Sequence, residues 1–168
     1  MAANATAAAF EQLVADRPPQ KALADHTIAE HLAIYLASLT ELDSAMRNGL
    51  AHCATRTIVS SHRSFGYLAR DYQLEQASIA GLSPGDEPSA KQLQTMIDLA
   101  RRKHVATIFF DRNMPSDLAR TVAQSAGAQV AVLDPVETFT AAQVKRGDTY
   151  VGVMRQNLAE LRTGLECT

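Results

Sequence analysis

The sequence has no excess of basic residues, no long apolar run and no cluster of cysteines, and each absence excludes a class of protein. Its 16 lysines and arginines are balanced by 18 aspartates and glutamates, so the formal net charge is −2. That balance offers no basic surface for nucleic acid or for an anionic membrane. No apolar run approaches the roughly 20 residues of a membrane-spanning helix. The opening, MAANATAAAF, has neither a basic segment nor a long apolar core, so we expect no signal peptide in this chain.

The chain contains two cysteines, Cys53 and Cys167, which lie far apart. No Cys-x-x-Cys pair and no clustered Cys/His spacing indicates a structural zinc site. The spacing alone leaves open whether the two thiols pair or are unrelated buried residues. The rest of the composition is ordinary, with 46% hydrophobic and 20% charged residues among 168, which suits one domain with a real core.

Residues 1–50 are Ala-rich and predicted to be helical. A first apolar stripe begins at Phe10 and is broken at the Pro18-Pro19 pair. A long amphipathic helix then follows, because apolar residues recur at intervals of three and four, and it is predicted to end near Gly49. The stripe of this long helix consists of Leu32, Tyr35, Leu36, Leu39, Leu42 and Met46.

From about residue 55 the period changes, and short apolar runs alternate with helical patterns. Ser89 and Ser116 are predicted to start helices, and Gly127 to end one. The predicted strands are Thr57–Ser60, Ala77–Ala80, Val105–Phe110 and Gln129–Leu133. The predicted helices between and after them are 63–72, 89–103, 116–126 and 148–164.

Alternating strands and helices imply right-handed crossovers between parallel strands, with helices on both faces of the sheet. The predicted fold class is therefore α/β, a three-layer lobe with a four-stranded parallel sheet that is preceded by a long connecting helix. The predicted organisation is a helical segment, 1–50, followed by the α/β lobe, 51–168.

Three residues with metal-binding side chains follow predicted strands. His62 follows the first strand, Asp111 the third and Asp134 the fourth. Ligands of open α/β sheets bind beyond the carboxyl ends of the strands, and an imidazole with carboxylates suits a divalent metal. Each residue also has a structural interpretation, because Asp after a strand is often a turn former or helix cap and a lone His in such a turn is usually structural.

A hydrolytic set built from Ser60 or Ser61, His62 and an aspartate is the alternative in which the protein is an enzyme. Adjacent residues of a strand point to opposite faces, and the Gly-x-Ser-x-Gly turn of one large hydrolase class is absent. No acidic pair follows the first strand, so Asp111 is a weak candidate for a phosphate acceptor. We therefore expect a binding protein and not an enzyme.

Several segments resemble one family along most of the chain. The stretch RTIVSSHRSFGYLARDYQL closely resembles (V/I)-(T/S)-x-H-x-x-F-x-Y-L-x-x-x-Y-G-L of the zinc- and manganese-uptake solute-binding proteins of ABC transporters, the ZnuA/TroA type. Further similar segments are GLSPGDEPSAKQLQTMIDLARRKHVATIFFD, AGAQVAVLDPVE and DTYVGVMRQNLAELRTGL. The similarity is collinear and covers roughly residues 25 to 167.

The family fold has two α/β lobes joined by one long helix, with the metal in the cleft between them. The resemblance implies that this chain holds the helix and the C-terminal lobe, with His62 and Asp134 as metal ligands and Asp111 near the cleft. Two further histidines come from the N-terminal lobe in the family and are missing here. We thus expect half a site, which prefers Zn²⁺ to Mn²⁺ because of the imidazole and binds it weakly in this chain alone.

The resemblance also implies partners, a location and a cross-link. The partners would be the membrane permease of an ABC transporter and either the missing N-terminal lobe or a second chain, which leaves a homodimer open. The location would be outside the cytoplasm, periplasmic or lipid-anchored at the cell surface. A bacterial subgroup of the family has cysteines at the positions of Cys53 and Cys167, so a disulfide between them is expected.

Three positions depart from the family pattern. Arg63 follows His62 where the family usually has Asp or Asn, and a cation beside a zinc site is unfavourable unless it points away. Asp111 stands in place of a Glu, and Gln73 in place of a Gly that would give an easy left-handed helix cap. Arg63 and the missing histidines favour the alternative in which the lobe has lost metal binding and acts as a structural or interaction module.

Overall fold

The computed structural model describes residues 21–60, 62–78, 89–111 and 116–168. The predicted apolar stripe that begins at Phe10 lies outside these ranges. Among the described residues, no helix is both long and apolar enough to cross a membrane. The elements in chain order are α1 (Lys21–Gly49), β1 (Thr57–Ser60), α2 (Gly66–Asp71), β2 (Glu75–Ser78), α3 (Ala90–Arg102), β3 (Thr107–Asp111), α4 (Ser116–Ala126), β4 (Gln129–Leu133), α5 (Ala141–Arg146) and α6 (Tyr150–Gly164).

The four strands form one parallel sheet in the order β2-β1-β3-β4. Val59 of β1 pairs with Ile108 of β3, and Phe109 of β3 pairs with Ala131 of β4. The strand order places β1 and β3 in the middle, where neighbours on both sides satisfy their backbone groups. The predicted α/β fold with a four-stranded parallel sheet is confirmed.

Helices cover both faces of the sheet. Successive residues of a strand point to opposite faces, so β1 and β3 present apolar side chains on each face. Ile58 and Phe109 pack on one face, in a cluster with residues from the end of α1, α2 and α6. Val59 and Ile108 pack on the other face, in a cluster with residues of α3 and α4. The three layers follow from this alternation along β1 and β3.

The last two turns of α1 belong to the lobe, because Leu42 and Met46, with Leu50 just after the helix, lie in the first of these clusters. By its contacts the chain divides after Glu41, within this helix. The described part of the first unit is the earlier part of α1, where four apolar side chains are exposed. They are Leu32, Ile34, Tyr35 and Leu36.

The predicted bounds of β1, β4 and the 116–126 helix match the structure. The second strand begins two residues earlier than predicted, at Glu75, because an edge strand accepts polar residues that an apolar run does not reveal. The short helix α5 was missed, since its six residues are too few to show a helical period.

The structure confirms the predicted helix ends at Ser89 and Gly127. Ser89 Oγ accepts from the backbone N–H of Gln92 at 3.3 Å, and Gln92 Oε1 accepts from the N–H of Ser89 at 2.8 Å, so α3 begins with a complete capping box. Gly127, with φ +75°, ends α4 in the left-handed region. Gln73 adopts φ +57°, so this residue takes the left-handed conformation without being glycine.

A disulfide closes the end of the sheet where the strands begin. Cys53 and Cys167 are bonded, with Sγ atoms 2.01 Å apart, as the resemblance implied. The flanking backbones also pair, since the N–H of Thr168 donates to the carbonyl of His52 at 2.9 Å and that of Ala54 donates to Glu166 at 3.2 Å. The C-terminus is thereby attached to the chain that enters β1.

Candidate metal site

The sheet brings the three candidate ligands to one edge. β1 ends at Ser60, β3 at Asp111 and β4 at Leu133, and all strands run parallel. His62, Asp111 and Asp134 therefore lie at the carboxyl edge, opposite the disulfide. Their placement follows the sequence prediction, and their role as metal ligands stays a prediction.

His62 is buried, with 2% of its surface exposed, and its backbone is held by three donors. Its carbonyl oxygen accepts from Ser60 Oγ at 2.9 Å, from Gln76 Nε2 at 3.1 Å and from the N–H of Ser64 at 3.1 Å. Gln76 Nε2 also donates to Ser60 Oγ at 2.8 Å. The turn after β1 is thus tied to β2, which fixes the Cα from which the imidazole projects.

Asp134 is also buried, with 3% exposed, and both of its carboxylate oxygens accept hydrogen bonds. Oδ1 accepts from the backbone N–H of Val136 at 2.9 Å, and Oδ2 accepts from Gln143 Nε2 at 2.8 Å. Asn157 of α6 binds the backbone of Asp134 twice. Its Oδ1 accepts from the Asp134 N–H at 2.9 Å, and its Nδ2 donates to the Asp134 carbonyl at 2.6 Å. The bonds to Oδ1 and Oδ2 fix the position and the orientation of the Asp134 carboxylate.

The turn after Asp134 is strained. Val136 has φ +57°, a conformation that a β-branched residue rarely adopts and that costs on the order of 1–3 kcal/mol. The hydrogen bond from its N–H to Asp134 Oδ1 helps to hold Val136 in this conformation. Backbone strain of this kind is often found at functional sites.

Arg63 is exposed, whereas His62 beside it is buried. Its guanidinium therefore lies in water, where the field of a charge is strongly screened. The electrostatic objection to a metal at this edge is correspondingly weak.

Four polar residues that position the candidate ligands were not found from the sequence, namely Ser60, Gln76, Gln143 and Asn157. Three of them are nearly inaccessible, with 2% of Ser60 and 3% each of Gln143 and Asn157 exposed. Such groups could be recognised in a sequence as polar residues at positions that the periodicity assigns to the core. Asn157, for example, lies within the family-like MRQNL stretch. Among the described side chains, no group of three or more His, Cys, Asp or Glu is arranged to hold a metal ion.

A cavity of about 490 Å³ lies at the amino end of β1, away from these residues. Its charged groups are already engaged. Arg56 donates to the carbonyls of Leu50 at 2.6 Å, of Tyr72 at 2.7 Å and of Gln73 at 2.9 Å. Because its arginine Arg56 is already bonded to backbone carbonyls, the carboxyl edge of the sheet is the better candidate for a functional site. The cavity is lined by Arg47, Leu50, Ala51, Arg56, Asp71, Tyr72 and Gln73.

Comparison with known proteins shows which family this chain resembles. The family described as zinc-uptake complex component A, periplasmic (ZnuA), matches residues 2–164. The zinc-binding lipoprotein AdcA of Streptococcus pneumoniae is 37% identical over 152 residues, which are 90% of this chain and 30% of that protein. The high-affinity zinc uptake system protein ZnuA of Bacillus subtilis is 36% identical over 131 residues, 78% of this chain and 41% of that protein.

Solved structures of similar fold agree with these matches. The Zn(II)-bound ZnuA-like domain of S. pneumoniae AdcA superposes with a TM-score of 0.74 at 36% identity and covers 93% of this chain and 57% of that one. The metal-dependent lipoprotein YcdH of B. subtilis gives 0.75 at 33% identity and covers 92% and 56%. The laminin-binding protein Lmb of Streptococcus agalactiae, described as an adhesin with metal-transporting activity, gives 0.73 at 30% identity and covers 81% and 51%. The chain thus spans about half of these structures and less than half of the curated relatives.

Proposed function

The chain belongs to the ZnuA family of zinc-uptake components, and we propose that it serves as the metal-capturing, solute-binding part of a zinc-type ABC importer. Within the 168 residues we assign the C-terminal lobe with half of the metal site to 51–168, and the end of α1 from Leu42 onward packs into its core. The helical segment 1–50 carries the connection toward the rest of the receptor. This is a role in binding and transport and not in catalysis.

The observation that carries the proposal is the pair of buried ligand types at one edge of the sheet. His62 and Asp134 are 2% and 3% exposed, and both backbones are held by several hydrogen bonds. We propose both as Zn²⁺ ligands, with Asp111 at the same edge. An imidazole nitrogen and a carboxylate oxygen suit zinc, whereas Mn²⁺ prefers all-oxygen surroundings.

Two or three ligands do not complete a zinc site, because protein sites use three or four. We therefore propose that the remaining ligands come from an N-terminal lobe or from a second copy of the chain. A site divided between two bodies can bind tightly when they close and release the metal when they separate. The membrane permease of the importer is the proposed recipient.

The proposed location is outside the cytoplasm, periplasmic or anchored at the cell surface. The Cys53–Cys167 disulfide supports it, since such bonds persist in oxidising compartments and are rare in the reducing cytosol. The lipoprotein relatives support it as well.

Zinc titration by calorimetry tests the proposal, with the variant His62→Ala and the matched control His31→Ala, which removes an exposed histidine of α1. We expect the chain to bind zinc with a micromolar or weaker Kd, because half the ligands are missing. His62→Ala should abolish binding, and His31→Ala should not change it. Nanomolar binding by a monomer would contradict the half-site.

A lobe without metal binding, acting as a structural or interaction module, is the second candidate. The four exposed apolar side chains of α1, which begin at Leu32, favour it because such a face is suited to contact another protein. Heat of zinc binding that is unchanged in His62→Ala, or no zinc binding at all, would favour this candidate. Tight binding that disappears on dilution would instead show that a second copy completes the site.

A further inference from the structure

We propose that Gln143 is a positioning residue for metal capture, because its side-chain amide joins the Asp134 carboxylate to the first turn of α5. The inference rests on the proposed zinc-binding function. It means that a residue of the short helix α5 sets the orientation of the Asp134 carboxylate.

Both ends of the Gln143 amide are used. Nε2 donates to Asp134 Oδ2 at 2.8 Å. Oε1 accepts from the backbone N–H and from the hydroxyl of Thr140, each at 2.9 Å. A flipped amide would point its oxygen at the carboxylate and its NH₂ at the Thr140 N–H, so the surrounding groups fix its orientation.

Because the contact between Gln143 and Asp134 is buried, its loss should be costly. Gln143 and Asp134 are each 3% exposed, so water does not readily replace a lost donor, and a buried acceptor without its partner is costly. Without Nε2, the carboxylate would keep the Val136 N–H on Oδ1 but lose the Gln143 donor on Oδ2. Outer partners that orient a metal-binding carboxylate typically change metal affinity by about 10- to 100-fold when removed.

The alternative is that Gln143 only caps α5, and the chain contains a matched control for this capping role. Gln92 forms the same capping box with Ser89 at the start of α3, with Oε1 accepting from the Ser89 N–H at 2.8 Å and from its hydroxyl at 2.8 Å. Gln92 is exposed. Gln92→Met therefore removes a cap alone, whereas Gln143→Met removes a cap and the donor to Asp134.

The experiment measures zinc affinity and thermal stability of the full 168-residue chain for both variants. We expect each variant to lower the unfolding midpoint in the absence of metal. Only Gln143→Met should weaken zinc binding, by about 10- to 100-fold. Equal zinc affinity in wild type and Gln143→Met would overturn the inference, as would an equal loss in both variants.

An NMR titration of the wild-type chain with zinc needs no variant and so does not depend on Gln143→Met folding. We expect the side-chain amide resonances of Gln143 to shift with the same saturation curve as the His62 ring resonances, while those of Gln92 stay in place. A response of His62 with no response of Gln143 would overturn the positioning role and leave the metal site intact. No response of His62 would overturn the zinc-binding function itself.

Discussion

At the scale of single residues, the backbone conformation of Gln73 and the ionisation of Tyr72 affect the stability of the lobe. Gln73 has φ +57° and its carbonyl accepts from Arg56 Nε at 3.1 Å, so the turn after α2 is used as an anchor although its residue is poorly suited to it. Gln73 stands where the resembled family pattern has Gly, and it adopts the left-handed conformation that glycine favours. Sequence reasoning identified the unfavourable residue, but only the structure shows which conformation it adopts.

Gln73→Gly should stabilise the protein by about 0.5–1 kcal/mol, because glycine adopts positive φ without the penalty of a Cβ and this gain exceeds its larger entropy in the unfolded chain. The measurement is urea unfolding. Gln94→Gly, at an exposed interior position of α3, is the control and should cost about 1 kcal/mol. A loss of stability in Gln73→Gly would contradict the assigned conformation.

Tyr72 gives the protein a predictable sensitivity to alkali. Burial, and then the hydrogen bond from its hydroxyl to Asp43 Oδ1 at 3.0 Å, raise the pKa of Tyr72 to about 12. Since the folded state keeps this proton to a higher pH than the unfolded state, the stability that it contributes is fully present below pH 10 and is lost as the pH rises toward 12.

Absorbance at 295 nm across this range should therefore show a late tyrosine ionisation that Tyr72→Phe removes. Tyr67→Phe, which replaces an exposed ring, should leave that late phase in place. The hydrogen bond from Arg47 lowers the pKa of Asp43, and Arg47 Nε lies 2.9 Å from its carboxylate. A Tyr72→Phe curve that still contains the late phase would show that another group produces it.

At the scale of the elements, α6 approaches β3 closely at Gly164. A Cβ built on Gly164 would lie 2.5 Å from Phe109 Cζ and 3.0 Å from Thr107 Cβ. The helix can therefore reach the sheet only because residue 164 has no side chain. This close contact also fixes α6, whose Asn157 holds the backbone of Asp134.

Gly164→Ala should destabilise the protein by about 1–3 kcal/mol, because the new methyl group overlaps a fully buried ring and forces α6 away from β3. The control is Thr163→Ala at the neighbouring exposed position, which we expect to change stability by less than about 0.5 kcal/mol. Denaturant unfolding measures both. An unchanged Gly164→Ala midpoint would mean that the helix shifts without cost.

Element order was readable from the sequence, but two elements show its limit. β1 and α4 carry strong patterns, and their predicted bounds are confirmed. β2 begins with Glu75 and Gln76, polar residues that only pairing with β1 makes part of a strand, and α5 is too short for a periodic signal. Both missed regions hold groups that position the candidate ligands, Gln76 for His62 and Gln143 for Asp134.

At the scale of the whole molecule, the disulfide joins the entrance of the first strand to the end of the last helix. Cys53 and Cys167 are 114 positions apart, so the bond removes a large share of the freedom of the unfolded chain. It lies at the end of the sheet opposite His62 and Asp134.

The double variant Cys53→Ser/Cys167→Ser should lose about 4–5 kcal/mol of stability in the chain-entropy model. Chemical unfolding with and without reductant measures this loss, and reductant should change the wild type but not the variant. Zinc affinity of the folded variant should stay as in the wild type, because the ligands lie at the other edge. A reductant-insensitive wild type with two alkylatable thiols would rule out the bridge.

The sequence by itself determined the family, the α/β class and the edge at which His62, Asp111 and Asp134 lie. It did so because strand-helix alternation forces parallel strands, and parallel strands share a carboxyl edge. The tertiary structure decided how the site is held. The hydrogen bonds from Gln143 to Asp134 and from Gln76 to the His62 carbonyl join residues distant in sequence, and no local pattern encodes them. They exist only when packing brings those elements together and excludes the water that would otherwise satisfy the same polar groups.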